Sequence, residues 1–234
     1  MEVAVVIPAR NEAGAIGQVL AELPRQLVHD IIVVDNGSTD ATAAVARAGG
    51  ARIVVEPQPG YGRACLAGLA ALKPQTQIVA FIDADHSDYP EELATLLDPI
   101  VRGEADLVIG SRTRLAQPGS LTPQQRFGNW LACTLMRRFF GARHTDLGPF
   151  RAIRRDALAR LQMADQTFGW TVEMQAKAAL RGLRVTEVPV RYRPRIGRSK
   201  ISGTVSGTVR AGVVILATIG RLAREKRSIA CAGS

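Results

Sequence analysis

The sequence predicts an α/β sandwich built around a mostly parallel, doubly wound sheet, and three observations carry that prediction. Five short runs rich in β-branched residues, at 3–8 (VAVVIP), 31–35 (IIVVD), 52–55 (RIVV), 78–83 (IVAFID) and 106–110 (DLVIG), show no apolar–polar alternation, the pattern of strands buried on both faces. Between them lie stretches with helical apolar spacing, so strands and helices alternate, and such βαβ units wind right-handed. The 234 residues suit one large domain of this class better than two complete ones.

Strand 3–8 leads to a helix over 11–23, and strand 31–35 to a helix over 39–48 that opens on Ser38, Thr39 and Asp40 as capping residues. Strand 52–55 precedes a helix over 62–72. Strand 78–83 precedes one over 90–101, opened by Ser87 and Asp88 with Pro90 in its first turn. After Gly110 the alternation stops. A Pro- and Gly-punctuated loop at 115–123 leads to a helix over 124–140, followed by strands at 150–153 and 184–192 with a helix at 171–180 between them. No internal repeat or low-complexity segment is visible.

Hydrophobic residues make up 47% and charged residues 22% of the chain, which excludes a disordered tail, a collagen-like fibre and a disulfide-stapled miniprotein. The one candidate for a membrane span, 208–227, is continuously apolar only over 211–219, between Arg210 and Arg221, too short to cross a bilayer. Cys65, Cys133 and Cys231 are odd in number and far apart, which argues for a reducing compartment and against a disulfide framework or a zinc set. The opening MEVAVVIPARNE has an acid at position 2 and no basic segment before its apolar run, so it reads as a first strand and not as a signal peptide, and a cytoplasmic location is expected. The net charge of +9 divides unevenly: residues 1–117 hold 9 basic and 15 acidic side chains, residues 118–234 hold 21 and 6, or −6 against +15. Only four of the 30 basic residues are lysines; arginine's planar fork suits carboxylate and phosphate partners, and arginine richness also accompanies high genomic GC content.

Polar chemistry gathers at the predicted carboxyl edge of the sheet, where open α/β sheets bind ligands. Strand 78–83 ends in Asp83-Ala84-Asp85, two hard oxygen donors that suit Mg²⁺ or Mn²⁺ holding a diphosphate, against the plainer reading of a strand end leading into a capped helix. The first strand ends in Ile7-Pro8-Ala9-Arg10-Asn11-Glu12 and the second in Val34-Asp35-Asn36-Gly37-Ser38-Thr39-Asp40. Asp35 can accept from a base or ribose, and Gly37 with Ser38 permits a close turn into the next helix. The segment Pro59-Gly60-Tyr61-Gly62-Arg63-Ala64 adds a basic loop at a helix N-terminus, suited to a phosphate.

Seven segments in order, VVIPARNE, VVDNGSTD, PGYGRA, FIDADHSDYPEEL, GSR at 110–112, TDLGPFRAI at 145–153 and GRSK at 197–200, resemble the family 2 glycosyltransferases of GT-A fold, and within them the branch of dolichol-phosphate mannose synthase and bacterial polyprenyl-phosphate glycosyltransferases. The resemblance covers about residues 3–204. It implies a Rossmann-like three-layer GT-A sandwich, with a catalytic domain at 1–203 made of a nucleotide-sugar-binding half (1–111) and an acceptor-binding half (112–203), followed by an amphipathic helix and tail at 204–234.

Residue by residue, the resemblance implies that Pro8, Ala9, Asn11, Glu12 and Asp35 line a nucleotide-sugar pocket with Gly37 and Arg63, and that Asp83, Ala84 and Asp85 serve a Mg²⁺ or Mn²⁺ ion and the donor diphosphate. Ser87 stands where the dolichol-phosphate synthases usually place a glutamine, and is the candidate third metal ligand. Arg112 and Arg126 match positions that meet the acceptor phosphate, a task suited to guanidinium groups that bind oxygens bidentately. Asp146 corresponds to an aspartate close to the reaction centre, while Pro149 departs from the small or acidic residue of many relatives. Arg195, Arg198 and Lys200 fall in a basic loop that closes over the diphosphate.

The implied reaction is inverting transfer of a sugar from a UDP- or GDP-sugar to a polyprenyl or dolichyl phosphate, with the ion, Lys200 and a loop arginine stabilising the leaving group. A phosphate acceptor is already anionic and Asp146 then positions it; for a hydroxyl acceptor Asp146 is the candidate base. The alternatives are a soluble or other non-polyprenyl acceptor and, in a different class, a noncatalytic nucleotide-sugar-binding or nucleic-acid-binding module, against which the paired carboxylates and GRSK argue. Trp170 and Glu173 either line the sugar pocket or, for the tryptophan, belong to the core. His86 and His144 are neighbours of Asp85 and Asp146, and His29 reads as a loop residue. Segment 204–227 is either an interfacial helix with Val209, Val213, Leu216 and Ile219 toward lipid and Arg210, Arg221, Arg224 and Lys226 outside, docking the +15 half on the cytoplasmic face of a membrane, or a helix packed on the domain or on another subunit.

Overall fold

The computed structural model describes residues 1–197 and 205–232, with side chains of the last helix over 211–226. Strands β1 (Val3–Ala9), β2 (Asp30–Asp35), β3 (Arg52–Val55), β4 (Ile78–Phe81), β5 (Leu107–Ala116), β6 (Arg151–Arg154) and β7 (Val185–Tyr192) form one sheet in the order β3-β2-β1-β4-β6-β5-β7. Neighbours pair in parallel except at β6, which is antiparallel to both β4 and β5. The helices are α1 (Ile16–Glu22), α2 (Thr42–Ala48), α3 (Tyr61–Ala70), α4 (Leu93–Val101), α5 (Pro123–Phe140), α6 (Arg155–Leu161), α7 (Trp170–Leu180) and α8 (Val205–Ala232).

Helices cover both faces, which is why the strands lack alternation. Along β1, Val5 and Ile7 pack with Ile16 and Leu20 of α1 and Leu93 and Leu96 of α4, whereas Val6 packs with Ala64 and Cys65 of α3 and Met174 of α7. Every residue of the strand except the partly buried Pro8 is therefore inside. Cys65 and Cys133 are buried and free.

Element boundaries move where side chains capture the backbone. The first helix starts at Ile16 because Asn11 takes φ 52° and the Glu12 carbonyl accepts from the amides of Ala15 and Ile16. The second starts at Thr42, whose amide and hydroxyl both donate to Asp40 Oδ1. Ser87 and Asp88 make no cap: a 3-10 turn, Pro90–Glu92, leads into α4. The expected loop at 115–123 shortens because β5 runs to Ala116, pairing with β7 across an irregularity between Ser111 and Leu115. The 111/112 division of the catalytic domain falls inside that strand.

The last helix is packed on the domain. Ile219 and Leu222 are buried with Ala132, Met136 and Phe140 of α5 and Val172 and Ala176 of α7. Ile219 thus does not face lipid, while Val213 and Leu216 are exposed; the side chain of Val209 lies outside the described residues. Among the described residues, no helix is long and apolar enough to cross a membrane.

Candidate active site

The carboxyl ends of β1 and β4, the loop before α3, residues 167–168 and Val214 of α8 enclose a cleft of about 410 Å³. Pro8, Ala9, Glu12, Asp83, Ala84, Asp85 and Arg195, all expected from the sequence, line it. Arg10, Asn36, Tyr61, Thr167 and Phe168 line it as well, though the sequence had not marked them as site residues. Arg198 and Lys200 lie outside the described residues.

Other expected pocket residues build the cleft's rim. Asn11 Oδ1 accepts from the Thr39 amide at 2.7 Å and the Asn11 amide donates to Ser38 Oγ at 3.0 Å, tying the two strand-end loops together. Asp35 Oδ1 accepts from the Ser38 amide at 2.9 Å across the turn that Gly37 makes at φ 71°. The buried Asn36 fixes the neighbouring loop: its Nδ2 donates to the carbonyls of Glu56 and Gln58, and its Oδ1 accepts from the Gly60 amide.

The expected phosphate site at the start of α3 does not form. The amides of Gly62 and Arg63 donate to the carbonyls of Thr167 and Gln166, both at 3.1 Å, so the donors an anion would use are taken. The glycine is required there, since a Cβ on Gly62 would stand 2.1 Å from the Asp165 carbonyl oxygen. The loop at 164–167 is itself held by the fully buried Glu173, whose Oε2 accepts from the amides of Ala164 and Asp165. Glu173 thus shapes the cleft from behind, and Trp170, 1% exposed, packs edge-on against Phe81 in the core.

Asp83 and Asp85 crowd negative charge into a buried corner. Burial, and next the Asp85 charge, push the Asp83 pKa up to about 7, although Tyr61 donates to Asp83 Oδ1 at 3.1 Å. Asp85 is oriented by Ser87, which donates from its amide at 2.9 Å and its hydroxyl at 2.5 Å to Oδ1; Ser87 is fully buried and sits behind the carboxylate. Arg195 spans the cleft, Nη1 lying 3.1 Å from Asp85 Oδ2 and Nη2 donating to Glu12 Oε1 at 3.2 Å. Two carboxylates short of positive charge fit a divalent cation. Among the described residues no third His, Cys, Asp or Glu joins them in a metal-binding group.

A third aspartate in the same motif, Asp88, is 1% exposed with neither carboxylate oxygen partnered among the described residues. Burial, then the Asp83 charge, raise its pKa well above the carboxylate range. The D-A-D-H-S-D spacing was the signal for it. His86 lies apart from this chemistry, at φ 63° and 2.8 Å from Glu22 Oε1. Burial lowers the His144 pKa to about 4.

On the acceptor side, Asp146 accepts three hydrogen bonds from Arg112: from the amide and Nε at 2.8 Å to Oδ2 and from Nη2 at 2.7 Å to Oδ1. Burial acts to raise the Asp146 pKa, but the guanidinium more than offsets it and holds the carboxyl below its ordinary value. An ionised carboxylate committed to an arginine is a poor base, so the geometry favours a positioning role. Asn129 of α5 supports the segment, donating to the Thr145 carbonyl and accepting from the Leu147 amide. Arg126 is exposed one turn earlier on that helix. Beneath lies the fully buried Arg151, whose donors are satisfied by the carbonyls of Leu147, Gly148 and Thr171.

Residues 4–162 match the model of glycosyl transferase family 2. An uncharacterised glycosyltransferase of Mycobacterium tuberculosis is 41% identical over 209 residues, covering 88% of this chain and 93% of the relative. A dolichyl-phosphate hexose transferase of Haloferax volcanii is 34% identical over 210 residues, covering 88% and 89%. Among solved structures, glucosyl-3-phosphoglycerate synthase of Mycobacterium tuberculosis, in complex with Mn²⁺, UDP and glucosyl-3-phosphoglycerate, superimposes with a TM-score of 0.79 at 26% identity, covering 95% of this chain and 80% of that one. With its mostly parallel sheet and the cleft at the sheet's carboxyl edge, the chain is a GT-A glycosyltransferase and belongs to glycosyl transferase family 2.

Proposed function

We propose that this enzyme moves a sugar, with inversion, from a UDP- or GDP-sugar to a polyprenyl or dolichyl phosphate. The observation that carries the reading is the Arg112 fork: Asp146 locks it, and it lies over the ring of Tyr192, 5.0 Å from the centroid, whose backbone bridges Asp88 in the segment that carries the carboxylate pair. A fixed guanidinium so close to a metal-type corner suits an anionic acceptor facing a nucleotide diphosphate. The dolichyl-phosphate hexose transferase of Haloferax volcanii is a relative named for such an acceptor.

In this reading Pro8, Ala9, Glu12 and Asn36 hold the nucleotide, with Asn11, Asp35, Gly37 and Arg63 supporting the walls around it. Asp83 and Asp85 would hold Mg²⁺ or Mn²⁺, which supplies charge neutralisation for the leaving diphosphate; Ser87 orients Asp85. Arg195 leaves its Asp85 and Glu12 partners to meet the diphosphate, joined by Arg198 and Lys200. Arg112 and Arg126 bind the acceptor phosphate, and Asp146 aims Arg112. An acceptor phosphate oxygen attacks the anomeric carbon as the bond from that carbon to the diphosphate oxygen breaks, and the electron pair leaves with the nucleoside diphosphate. A peripheral station on the cytoplasmic face of a membrane fits that acceptor.

The test is release of nucleoside diphosphate from a panel of UDP- and GDP-sugars with Mg²⁺ or Mn²⁺, with and without a short-chain polyprenyl phosphate. Release that requires the lipid phosphate is expected and identifies the donor. Binding of a nucleotide-sugar with turnover indifferent to the lipid would overturn the acceptor. The favoured second reading is then a soluble anionic acceptor, for which the similarity to glucosyl-3-phosphoglycerate synthase speaks.

A further inference from the structure

Among the described residues, large apolar side chains exposed to water are few, and four of them lie on one helix pair. Phe127 and Trp130 of α5 are 62% and 60% exposed, Val213 and Leu216 of α8 59% and 42%. The two helices run side by side in the same direction: Ile219 and Leu222 pack with Ala132 and Met136, and further along Lys226 Nζ donates to the Phe139 carbonyl. Stepping back one to two turns on each helix from those contacts brings Val213 and Leu216 level with Phe127 and Trp130. The two aromatic rings lie against one another, centroids 5.8 Å apart, and no described residue covers them.

This end of the pair is the end that meets the cleft. Asn129, between the two aromatics, holds the segment bearing Asp146, and Val214, between the two exposed aliphatics, lines the cleft. Arg126 is exposed beside Phe127, within the half of the chain whose charge is +15. An apolar patch rimmed by arginine, with a tryptophan half out of its own protein, has the chemistry of a group that settles among lipid headgroups.

We propose that this end of α5 and α8 docks on an anionic bilayer, with Phe127 and Trp130 entering the headgroup layer and the cleft mouth held at the lipid surface. The inference deepens the acceptor reading, on which it rests for its purpose, but its test needs no acceptor, so the two fail separately.

Trp130 supplies its own probe, because the only other tryptophan, Trp170, is 1% exposed and stays in the core. The experiment mixes the full chain at low salt with vesicles of phosphatidylglycerol and phosphatidylcholine and reads tryptophan emission, acrylamide quenching and co-sedimentation. A blue shift, loss of quenching and sedimentation are expected, weaker with phosphatidylcholine alone. The double variant Phe127→Ser/Trp130→Ser is expected to lower vesicle affinity on the order of 100-fold, from two aromatic side chains no longer buried in lipid. Near-UV circular dichroism of Trp170 checks its fold, and release of nucleoside diphosphate with a dispersed short-chain acceptor is expected to persist. Emission unmoved by anionic vesicles, a double variant that sediments like the parent, or a Trp130 already shielded in a vesicle-free dimer would each overturn the proposal.

Discussion

Replacing Asp146 by asparagine keeps the side chain's shape and removes its charge, so the buried Arg112 fork is left without a counter-ion. The side chains are 2% and 14% exposed and share hydrogen bonds of 2.7–2.8 Å, so solvent screens them little. Breaking one side of such a pair costs about 3–5 kcal/mol. At roughly 2–4 °C per kcal/mol for a chain of this size, the melting temperature should fall by about 6–20 °C. The double variant Asp146→Leu/Arg112→Met removes both charges and should recover most of that loss. Thermal unfolding followed by far-UV circular dichroism of the parent, Asp146→Leu, Arg112→Met and the double variant gives the coupling directly. Acidity adds an independent arm. The folded pKa of Asp146 lies below its unfolded value, so its stabilisation is present above about pH 4 and is lost as pH falls through the folded pKa; the asparagine variant should lack that component. A coupling below about 1 kcal/mol, the value of an exposed pair, would refute the reasoning.

Asp83 bears the opposite sign: its folded pKa is raised to about 7, so ionising it costs stability as pH climbs from about 4 to 7. Asp83→Asn should therefore be neutral near pH 4, stabilising by roughly 1–4 kcal/mol near pH 8 and inactive; equal urea midpoint differences at both pH values would sink the idea. Gly62→Ala places a Cβ against the Asp165 carbonyl and should cost about 1–3 kcal/mol while weakening nucleotide-sugar binding in calorimetry. Arg195→Ala removes the guanidinium 3.1 Å from Asp85 Oδ2, so Mg²⁺ should bind more tightly while turnover falls. A titration showing weaker Mg²⁺ binding would place Arg195 outside that competition.

Much of the donor side was legible because it is written at strand ends. The runs at 3–8, 31–35 and 78–83 announce buried strands, and the polar residues following them could only fall at one edge of a parallel sheet, which is where Glu12, Asp83 and Asp85 meet. What stayed hidden depends on partners far away in sequence. Nothing near Gly62 shows that the carbonyls of residues 166 and 167 will take the amides a phosphate would have used. The amphipathic pattern of 204–227 shows an apolar stripe but not what covers it, and only the fold reveals that Ile219 meets α5 and α7 while Leu216 does not. The helix Arg155–Leu161 was missed because it follows β6 directly, with no turn residue between them and no side-chain cap to mark its start. Arg151 is hidden for another reason: a charged residue inside a strand reads as solvent-facing, yet carbonyls of the adjoining loop and of α7 satisfy its guanidinium at zero exposure.

The reversed strand β6 bonds to β4 on one side and β5 on the other, and through it the residues proposed for the donor and those proposed for the acceptor share one hydrogen-bonded lattice. Shears and hinges between the two halves would tear backbone ladders, so capture of substrate falls to loops. It also means the halves have no separate existence. Cleaving the chain at 111/112 would cut through β5 and leave strands with bare edges that associate with their own kind. Production as complementary fragments should therefore end in aggregates, and unfolding of the intact enzyme should proceed as a single cooperative event.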